Sequence, residues 1–143
     1  DITTPEKNLY SADVTQVTLP TAEGEITVLA HHIPLVSLLV PGVLHIIPKN
    51  GAEETMAVSG GFIEVVGNKV HVLADAAERA EDIDLRRAEE AKERAEEAMR
   101  KTQHDAESSA HAVADLEKAL ARVRAARRHQ RRRETHREMP LTE

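Results

Sequence analysis

The chain of 143 residues has no cysteine, no tryptophan, one phenylalanine and one tyrosine. The lack of cysteine excludes disulfides and thiolate metal sites and leaves the redox compartment open. So few aromatic side chains exclude a large aromatic core. No apolar run reaches the roughly 20 residues that span a bilayer, and no signal peptide is visible. We therefore expect a soluble protein inside the cell.

The net negative charge comes entirely from the first half of the chain. The formal net charge is −6. Residues 1–80 contain ten acidic and four basic residues, whereas residues 81–143 contain fifteen of each. Within the second half, residues 81–117 contain twelve acids and six bases, and residues 118–138 contain two acids and nine bases. An acidic helix before a basic one indicates an antiparallel pair, or a basic arm for an acidic partner.

Residues 1–76 have the pattern of short strands separated by turns. β-Branched segments end at Pro20 and Pro48, and turn signals occur at Gly24, Gly60-Gly61 and Gly67-Asn68. Strands are predicted at residues 14–20, 26–29 and 42–48, with three more between residues 54 and 74. Without helical segments for parallel crossovers, the sheets should be mainly antiparallel. The pattern predicts a β-sandwich or flattened barrel in which Phe62 belongs to the core.

Residues 77–143 change to a helical period. Alanines at 88, 91, 95 and 98 share one face, and the larger residues Val113, Leu116, Leu120 and Val123 share another. Asp105, Ser108 and Ser109 between them are candidate helix N-caps. We predict an α+β fold that ends in an antiparallel two-helix hairpin, with small side chains receiving larger ones. Because each buried methyl contributes only about 0.8 kcal/mol, the helices should be held weakly, and the basic tail after Val123 should be solvated, frayed or bound elsewhere.

Six sequence blocks carry a resemblance to a known family. In order they are LPTAEGEITVL, HIPLV, PGVLHI, AVSGGFIEV, KVHVLADAAERAEDID and RAEEAKERAEEA. Together they resemble the epsilon subunit of bacterial and chloroplast F-type ATP synthases, the counterpart of mitochondrial delta. The resemblance covers Asp1 to about Arg124 and places the first residue slightly inside the family's first strand.

The resemblance implies a non-catalytic subunit of the central rotor stalk. Its sandwich (residues 1–76) would contact the gamma subunit and the ring of membrane c subunits. Its hairpin (residues 77–143) would be permissive when folded and would block ATP hydrolysis when extended into the alpha/beta catalytic head. The subunit would couple proton-driven rotation to ATP synthesis. It would lie at the cytoplasmic face of the cell inner membrane, peripherally and without inserting.

The segment AEGEITVLAHHIP resembles the family loop that faces the c ring. The resemblance places Glu25, His31 and His32 at that contact. The family usually has Pro-Gly-His where this chain has Ala30-His31-His32, which leaves the shape of the loop open. The alternative is a solvated turn acid beside surface imidazoles.

The segment IDLRRA resembles the motif of family members that bind ATP on epsilon. Carried over position by position, the implied ATP contacts are Glu78, Ile83, Asp84, Arg87, Ala88, Arg94, Lys118 and Arg122. Lys118 replaces an arginine of the motif, which implies weaker binding, because arginine binds phosphate bidentately. ATP would be a regulatory ligand, with no cofactor required. The alternative is an ordinary salt-bridged helix surface, with Asp84 bonded to the backbone of Arg87 or Ala88 and Glu90 paired with Arg94.

The basic second helix supplies the remaining candidate site. Arg122, Arg124, Arg127 and Arg128 are candidates for inhibitory contacts with acidic surfaces of the catalytic head. The alternative is a nucleic-acid-binding adaptor, which the negative net charge and the lack of aromatic stacking side chains disfavour. Histidine pairs seven residues apart do not indicate a metal site. No Ser-His-Asp or paired-carboxylate pattern is identifiable, so we do not expect an enzyme.

Overall fold

A computed structural model describes residues 1–138 of the chain, with side chains to residue 137. Residues 139–143, the end of the predicted helical unit, lie outside the described residues. The first part of the chain forms ten strands: β1 (Ile2–Thr3), β2 (Asn8–Tyr10), β3 (Val14–Thr21), β4 (Gly24–Leu29), β5 (Leu35–Leu39), β6 (Gly42–Pro48), β7 (Glu54–Val58), β8 (Gly61–Val66), β9 (Lys69–Ala74) and β10 (Ala77–Arg79).

The strands form a β-sandwich whose two layers share a hydrogen-bonded path. The order is β10-β7-β6-β3-β5-β8-β9-β1-β2, and β4 pairs with β3. Pairing is antiparallel in the described residues except between β1 and β9. The six predicted strands are confirmed. The strand pattern missed β2, β5 and β10, and only the resemblance implied a strand at the first residues, where β1 lies. Because β10 pairs with β7, the sheet continues past residue 76. The domain boundary predicted at residue 76 stays a prediction.

The sandwich core is aliphatic and draws on both layers. Its fully buried side chains include Leu19, Leu44, Ile46, Met56 and Ile63. The prediction that Phe62 belongs to this core is wrong, since Phe62 is 55% exposed. Alternation explains the error: Ile63 and Val65 of β8 point inward, so Phe62 points outward.

Two helices follow a 3₁₀ turn at Ala80–Asp82: α1 (Leu85–Lys101) and α2 (Ala106–Glu138). The four-residue connection makes them a hairpin. As predicted, Asp105 caps α2, because its Oδ1 atom accepts a hydrogen bond from the backbone N–H of Glu107 at 3.3 Å. The bond that Ser108 donates to the same carboxylate lowers the pKa of Asp105.

The alanine face of α1 is confirmed as the packing face, since Ala88 and Ala95 are buried. The predicted packing face of α2 is partly wrong. Val113 is 38% exposed, and the buried residues of α2 are mostly alanine: Ala112, Ala119, Ala121, Val123, Ala125 and Ala126. Small side chains therefore meet small side chains, and the helix backbones can approach closely.

The second half of α2 packs on the sandwich. At 1.5 Å per residue, α2 is about 50 Å long and α1 about 25 Å, so α2 extends beyond its partner. Ala125 and Ala126 join a buried cluster with Ala57 of β7, and Val43 of β6 packs against that cluster. Of the expectations for the tail after Val123, binding elsewhere holds for its first part, since Ala125 and Ala126 are buried on the sandwich. The outer face of β6 and β7 supplies the missing partner.

We predict that Gly61→Ala destabilises the sandwich severely. Gly61 has φ +129°, and an added Cβ would lie 2.0 Å from the carbonyl oxygen of Leu73, so strain and a backbone clash combine. The free energy of unfolding should fall by about 3 kcal/mol or more in urea titrations. Gly67→Ala is the matched control, because Gly67 also has positive φ (+55°) but open space around it. It should cost only about 1 kcal/mol, and equal costs would contradict the clash.

Candidate functional site

Two of the predicted ATP residues form a short polar contact between the sheet and the hairpin. Arg122 of α2 donates from Nε to Glu78 Oε2 of β10 at 2.8 Å and from Nη2 to Glu78 Oε1 at 3.3 Å. Both side chains are about one-third exposed. Two bonds fix the guanidinium against the carboxylate, so the pair ties the middle of α2 to the end of the sheet.

Three other predicted ATP residues form the start of α1. Asp84 is the N-cap, and its Oδ1 accepts a hydrogen bond from the backbone N–H of Arg87 at 3.1 Å. Ile83 and Ala88 are buried in the cluster beneath α2. Part of the alternative interpretation therefore holds, since Asp84 bonds to the backbone of Arg87. The other part does not, because Glu90 pairs with Arg86 at 3.4 Å instead of Arg94.

The remaining ATP candidates, Arg87, Arg94 and Lys118, are exposed. Arg94 lies apart from the other predicted ATP residues. Arg94 lies in a groove formed only by α1, whose other lining residues are Glu90, Glu93, Glu96, Glu97 and Arg100. Four carboxylates beside two guanidinium groups oppose an approaching phosphate. Arg87 and Lys118 are exposed, and no ion pair within residues 1–138 includes them. The junction of Glu78, Asp84 and Arg122 is thus the part of the predicted ATP set that the fold brings closest to a site.

Three of the four predicted inhibitory arginines lie close to acidic side chains of other elements. Arg127 Nη2 lies 2.6 Å from Glu89 Oε1 of α1. Arg128 Nη2 lies 3.8 Å from Oε1 of Glu53, in the turn between β6 and β7. With the Glu78–Arg122 pair, three of the four candidates point to carboxylates of the protein itself, while Arg124 is exposed. In this state those three arginines are engaged internally.

Sequence reasoning missed Glu53 and Arg132. Arg132 Nη1 donates to the Glu53 backbone carbonyl at 2.8 Å and lies 3.2 Å from its Oε2 atom. Arg132 belongs to the tail that was expected to be solvated, frayed or bound elsewhere. The residues are 79 positions apart, so no local pattern could pair them. The sequence offered one signal: the helical pattern continues through the basic tail, and positive charges there call for acidic partners.

His45 lies beneath the same contact. Its Nδ1 atom is 3.3 Å from Thr55 Oγ1 and 3.9 Å from Glu53 Oε1, and its side chain is 12% exposed. Burial, followed by the positive charge of Arg128, lowers the pKa of His45, while Glu53 and Glu25 act in the opposite direction. The surroundings therefore favour the neutral imidazole.

The candidates for the c-ring contact lie at the two ends of β4. Glu25 is beside the β3–β4 turn, while His31 and His32 form the turn after Leu29. An extended strand separates residues 25 and 31 by about 20 Å. The turn closes although it lacks glycine: His31 takes φ +62°, and its backbone N–H donates to Asn68 Oδ1 at 3.0 Å. A single contact surface could include all three residues only if it extended along the whole of β4. The c-ring contact therefore stays a prediction.

An exposed apolar row crosses β5, β8 and β9. Leu38 pairs with Phe62, which pairs with Leu73, and each of these side chains is more than half exposed. Val36 and Val66 extend this surface, which we call the β5–β8–β9 face. Contiguous exposed apolar side chains mark interaction sites more often than solvated surface.

Among residues 1–138, no group of three or more His, Cys, Asp or Glu side chains is arranged to hold a metal ion. In the same range, neither helix has the length and apolarity needed to cross a membrane.

The order of the two units, a β-sandwich and then a helical hairpin, matches the domain order of a known protein family. Residues 1–80 match the beta-sandwich domain of the ATP synthase delta/epsilon chain, and residues 81–127 match its long alpha-helix domain. The chain belongs to the ATP synthase delta/epsilon family, as the sequence resemblance predicted.

Relatives agree over nearly the whole chain. The ATP synthase epsilon chain of Chloroflexus aggregans is 47% identical over 129 residues, which cover 90% of this chain and 91% of that protein. That of Dehalococcoides mccartyi is 43% identical over 132 residues, covering 92% and 93%. A chain in the cryo-EM structure of the Euglena gracilis mitochondrial ATP synthase (OSCP/F1/c-ring, rotational state 1) superposes with a TM-score of 0.74 at 29% identity, covering 87% of this chain and 79% of that one.

We predict that His45 makes the protein sensitive to mild acid. Because the folded state lowers the pKa of this imidazole, its stabilising effect is complete above the unfolded pKa of about 6.5 and is lost as the pH falls through the folded value. The difference in free energy of unfolding between about pH 7.5 and about pH 5 should be smaller in His45→Gln than in the wild type. His104→Gln, in the turn between the helices, is the control. An unchanged pH dependence in His45→Gln would contradict the prediction.

Proposed function

We propose that the chain is a non-catalytic rotor subunit of an F-type ATP synthase, in which the sandwich anchors the molecule and the hairpin regulates ATP hydrolysis. Membership of the epsilon family supports the assignment to the complex. The observation that carries the regulatory part is the set of arginine–carboxylate pairs along α2. Arg122, Arg127 and Arg132 each join α2 to a different part of the molecule.

The sandwich offers two surfaces for stalk partners. The β5–β8–β9 face is apolar and exposed, which suits a lasting contact with the gamma subunit. The turn at His31 and His32 has polar groups for the loops of the c ring. Contact with that ring would place the chain at the cytoplasmic face of the membrane, peripherally and without insertion of its own.

The hairpin has the properties of a two-state element. Alanine contacts bury little area per residue, and partly exposed ion pairs contribute only about 0–1 kcal/mol each. A folded arrangement held in this way can differ from an extended one by a few kcal/mol. Extension would free Arg122, Arg127 and Arg128 together with the exposed Arg124. These four arginines could then bind acidic surfaces of the alpha/beta head and block hydrolysis.

ATP would act as a regulatory ligand at the β10–α1–α2 junction. Arg122, Arg87 and Lys118 would contact phosphates, while Glu78 and Asp84 could accept hydrogen bonds from sugar or base. Ile83 and Ala88 would be supporting residues beneath the helices. The carboxylates around Arg94 weaken its part in this set. A ligand that contacts both helices stabilises the folded hairpin by mass action, so plentiful ATP would keep hydrolysis permitted.

The nucleic-acid alternative gains no support from these contacts, because three of the arginines on which it depends are paired with carboxylates.

The inhibitory role predicts opposite effects of two changes in the assembled ATP synthase. Deleting the residues after Ala80 removes the inhibitor and should raise ATP hydrolysis. Glu53→Gln weakens the folded hairpin by removing the carboxylate that Arg128 and Arg132 share. It should therefore lower hydrolysis roughly twofold to fivefold.

Steady-state hydrolysis by the purified complex measures both effects. Glu6→Gln is the charge-matched control on the sandwich, and its hydrolysis should equal that of the wild type. Unchanged hydrolysis in the deletion variant would refute inhibition. Lowered hydrolysis in Glu6→Gln would refute the specific role of Glu53.

The ATP-sensing role predicts saturable binding to the isolated chain at up to about millimolar ATP, because a weak regulatory site should respond near cellular levels. Isothermal calorimetry measures it. Arg87→Ala should weaken binding about tenfold, the effect of losing one charged phosphate contact of about 1.4 kcal/mol. Arg86→Ala, its exposed neighbour on α1, should bind as the wild type does. No binding, or binding unaffected by Arg87→Ala, would remove this role.

A further inference from the structure

A groove between the two helices is lined mostly by cations. It has a volume of about 530 Å³, and its lining residues are Lys92, Leu120, Val123, Arg124, Arg127, Arg128 and Arg131. No carboxylate lines it, unlike the groove around Arg94. Its volume falls within the range of roughly 300–1,000 Å³ that is typical of small-ligand sites. The groove combines five positive charges with the apolar side chains of Leu120 and Val123.

This groove is on the opposite side of the hairpin from the predicted ATP residues. Successive residues of a helix are about 100° apart, so side chains two positions apart point in nearly opposite directions. Lys92 and Arg94 have this relation on α1, and Arg124 and Arg122 have it on α2. The groove therefore does not share its side chains with Glu78, Asp84, Arg87, Lys118 or Arg122.

The cations of the groove have fewer acidic partners than charges. Arg127 pairs with Glu89, Arg128 lies near Glu53, and Lys92 pairs with Glu96. Arg124 and Arg131 take part in no ion pair among residues 1–138. Like charges that converge on one groove repel, and an anion with several negative charges relieves that repulsion at several side chains at once.

We propose that this groove is a binding site for a multivalent phosphate anion, such as a pyrophosphate or tripolyphosphate group. Guanidinium groups present planar, two-pronged donors that match phosphate oxygens, and the groove offers four of them. Lys92 is on α1 and the arginines are on α2. A bound anion would therefore contact both helices and strengthen the folded hairpin. This site needs neither the ATP synthase complex nor the predicted ATP site.

Titration of the full chain with sodium tripolyphosphate tests the proposal, with isothermal calorimetry for affinity and amide NMR for location. Binding should be saturable, weaken with added salt and shift signals of residues 92 and 120–131. The double variant Arg124→Glu, Arg131→Glu should weaken it at least about tenfold. Both side chains are exposed, and circular dichroism verifies that the variant is folded.

The matched control has the same change of net charge on another surface. Arg86→Glu with Arg100→Glu alters two exposed arginines of α1 outside the groove, and its affinity should stay within about twofold of the wild type. An equal loss in both double variants would overturn the proposal, because it would show a response to overall charge. No binding of tripolyphosphate would also overturn it.

Further ligands identify the chemistry that is recognised. Adenosine should not bind the groove, whereas ATP should shift groove signals through its phosphate tail. These shifts should persist in Arg87→Ala, which separates this site from the predicted ATP site. If a poly-glutamate peptide binds the groove and tripolyphosphate does not, the groove is a protein-docking surface and the proposal is wrong.

Discussion

The contact between α2 and the outer face of β6 and β7 determines the position of every other part of the candidate site. Ala125 and Ala126 pack on the cluster that contains Ala57, and side chains this small let the helix axis lie close to the sheet. At that distance, arginines flanking the contact can reach acids on the sandwich and on α1. A larger residue at Ala57 or Ala125 would lift the helix and separate those pairs.

The ion pairs fix the orientation of α2 on the sandwich, whereas the small alanine side chains contribute little energy to the contact. Arg122, Arg127 and Arg132 reach Glu78, Glu89 and Glu53, which belong to three separate segments. Together these three pairs orient α2 on the rest of the molecule. Each pair contributes about 0–1 kcal/mol at such exposure. The hairpin is thus well defined in position, and its partly exposed ion pairs add little to its stability.

The two sides of the hairpin differ in chemistry although both are rich in arginine. Around Glu78, Asp84 and Arg122, carboxylates and cations alternate, and a ligand there must compete with existing pairs. Around Arg124 and Arg131 the lining is cationic, and an anion would compete mainly with water and salt. Each side of the folded hairpin therefore offers a different chemistry to a ligand.

Local pattern determined much of this protein. Alternation and turn residues indicate six strands, the helical period indicates the hairpin and the alanine face of α1, and capping chemistry places Asp105 at the start of α2. The relative placement of distant segments decided the rest. Phe62 and Ile63 are equally apolar, but the pleat points them to opposite faces and only Ile63 meets the second layer. Glu53 and Arg132 are far apart in the chain, and α2 brings them together because the sheet offers a surface for its final turns.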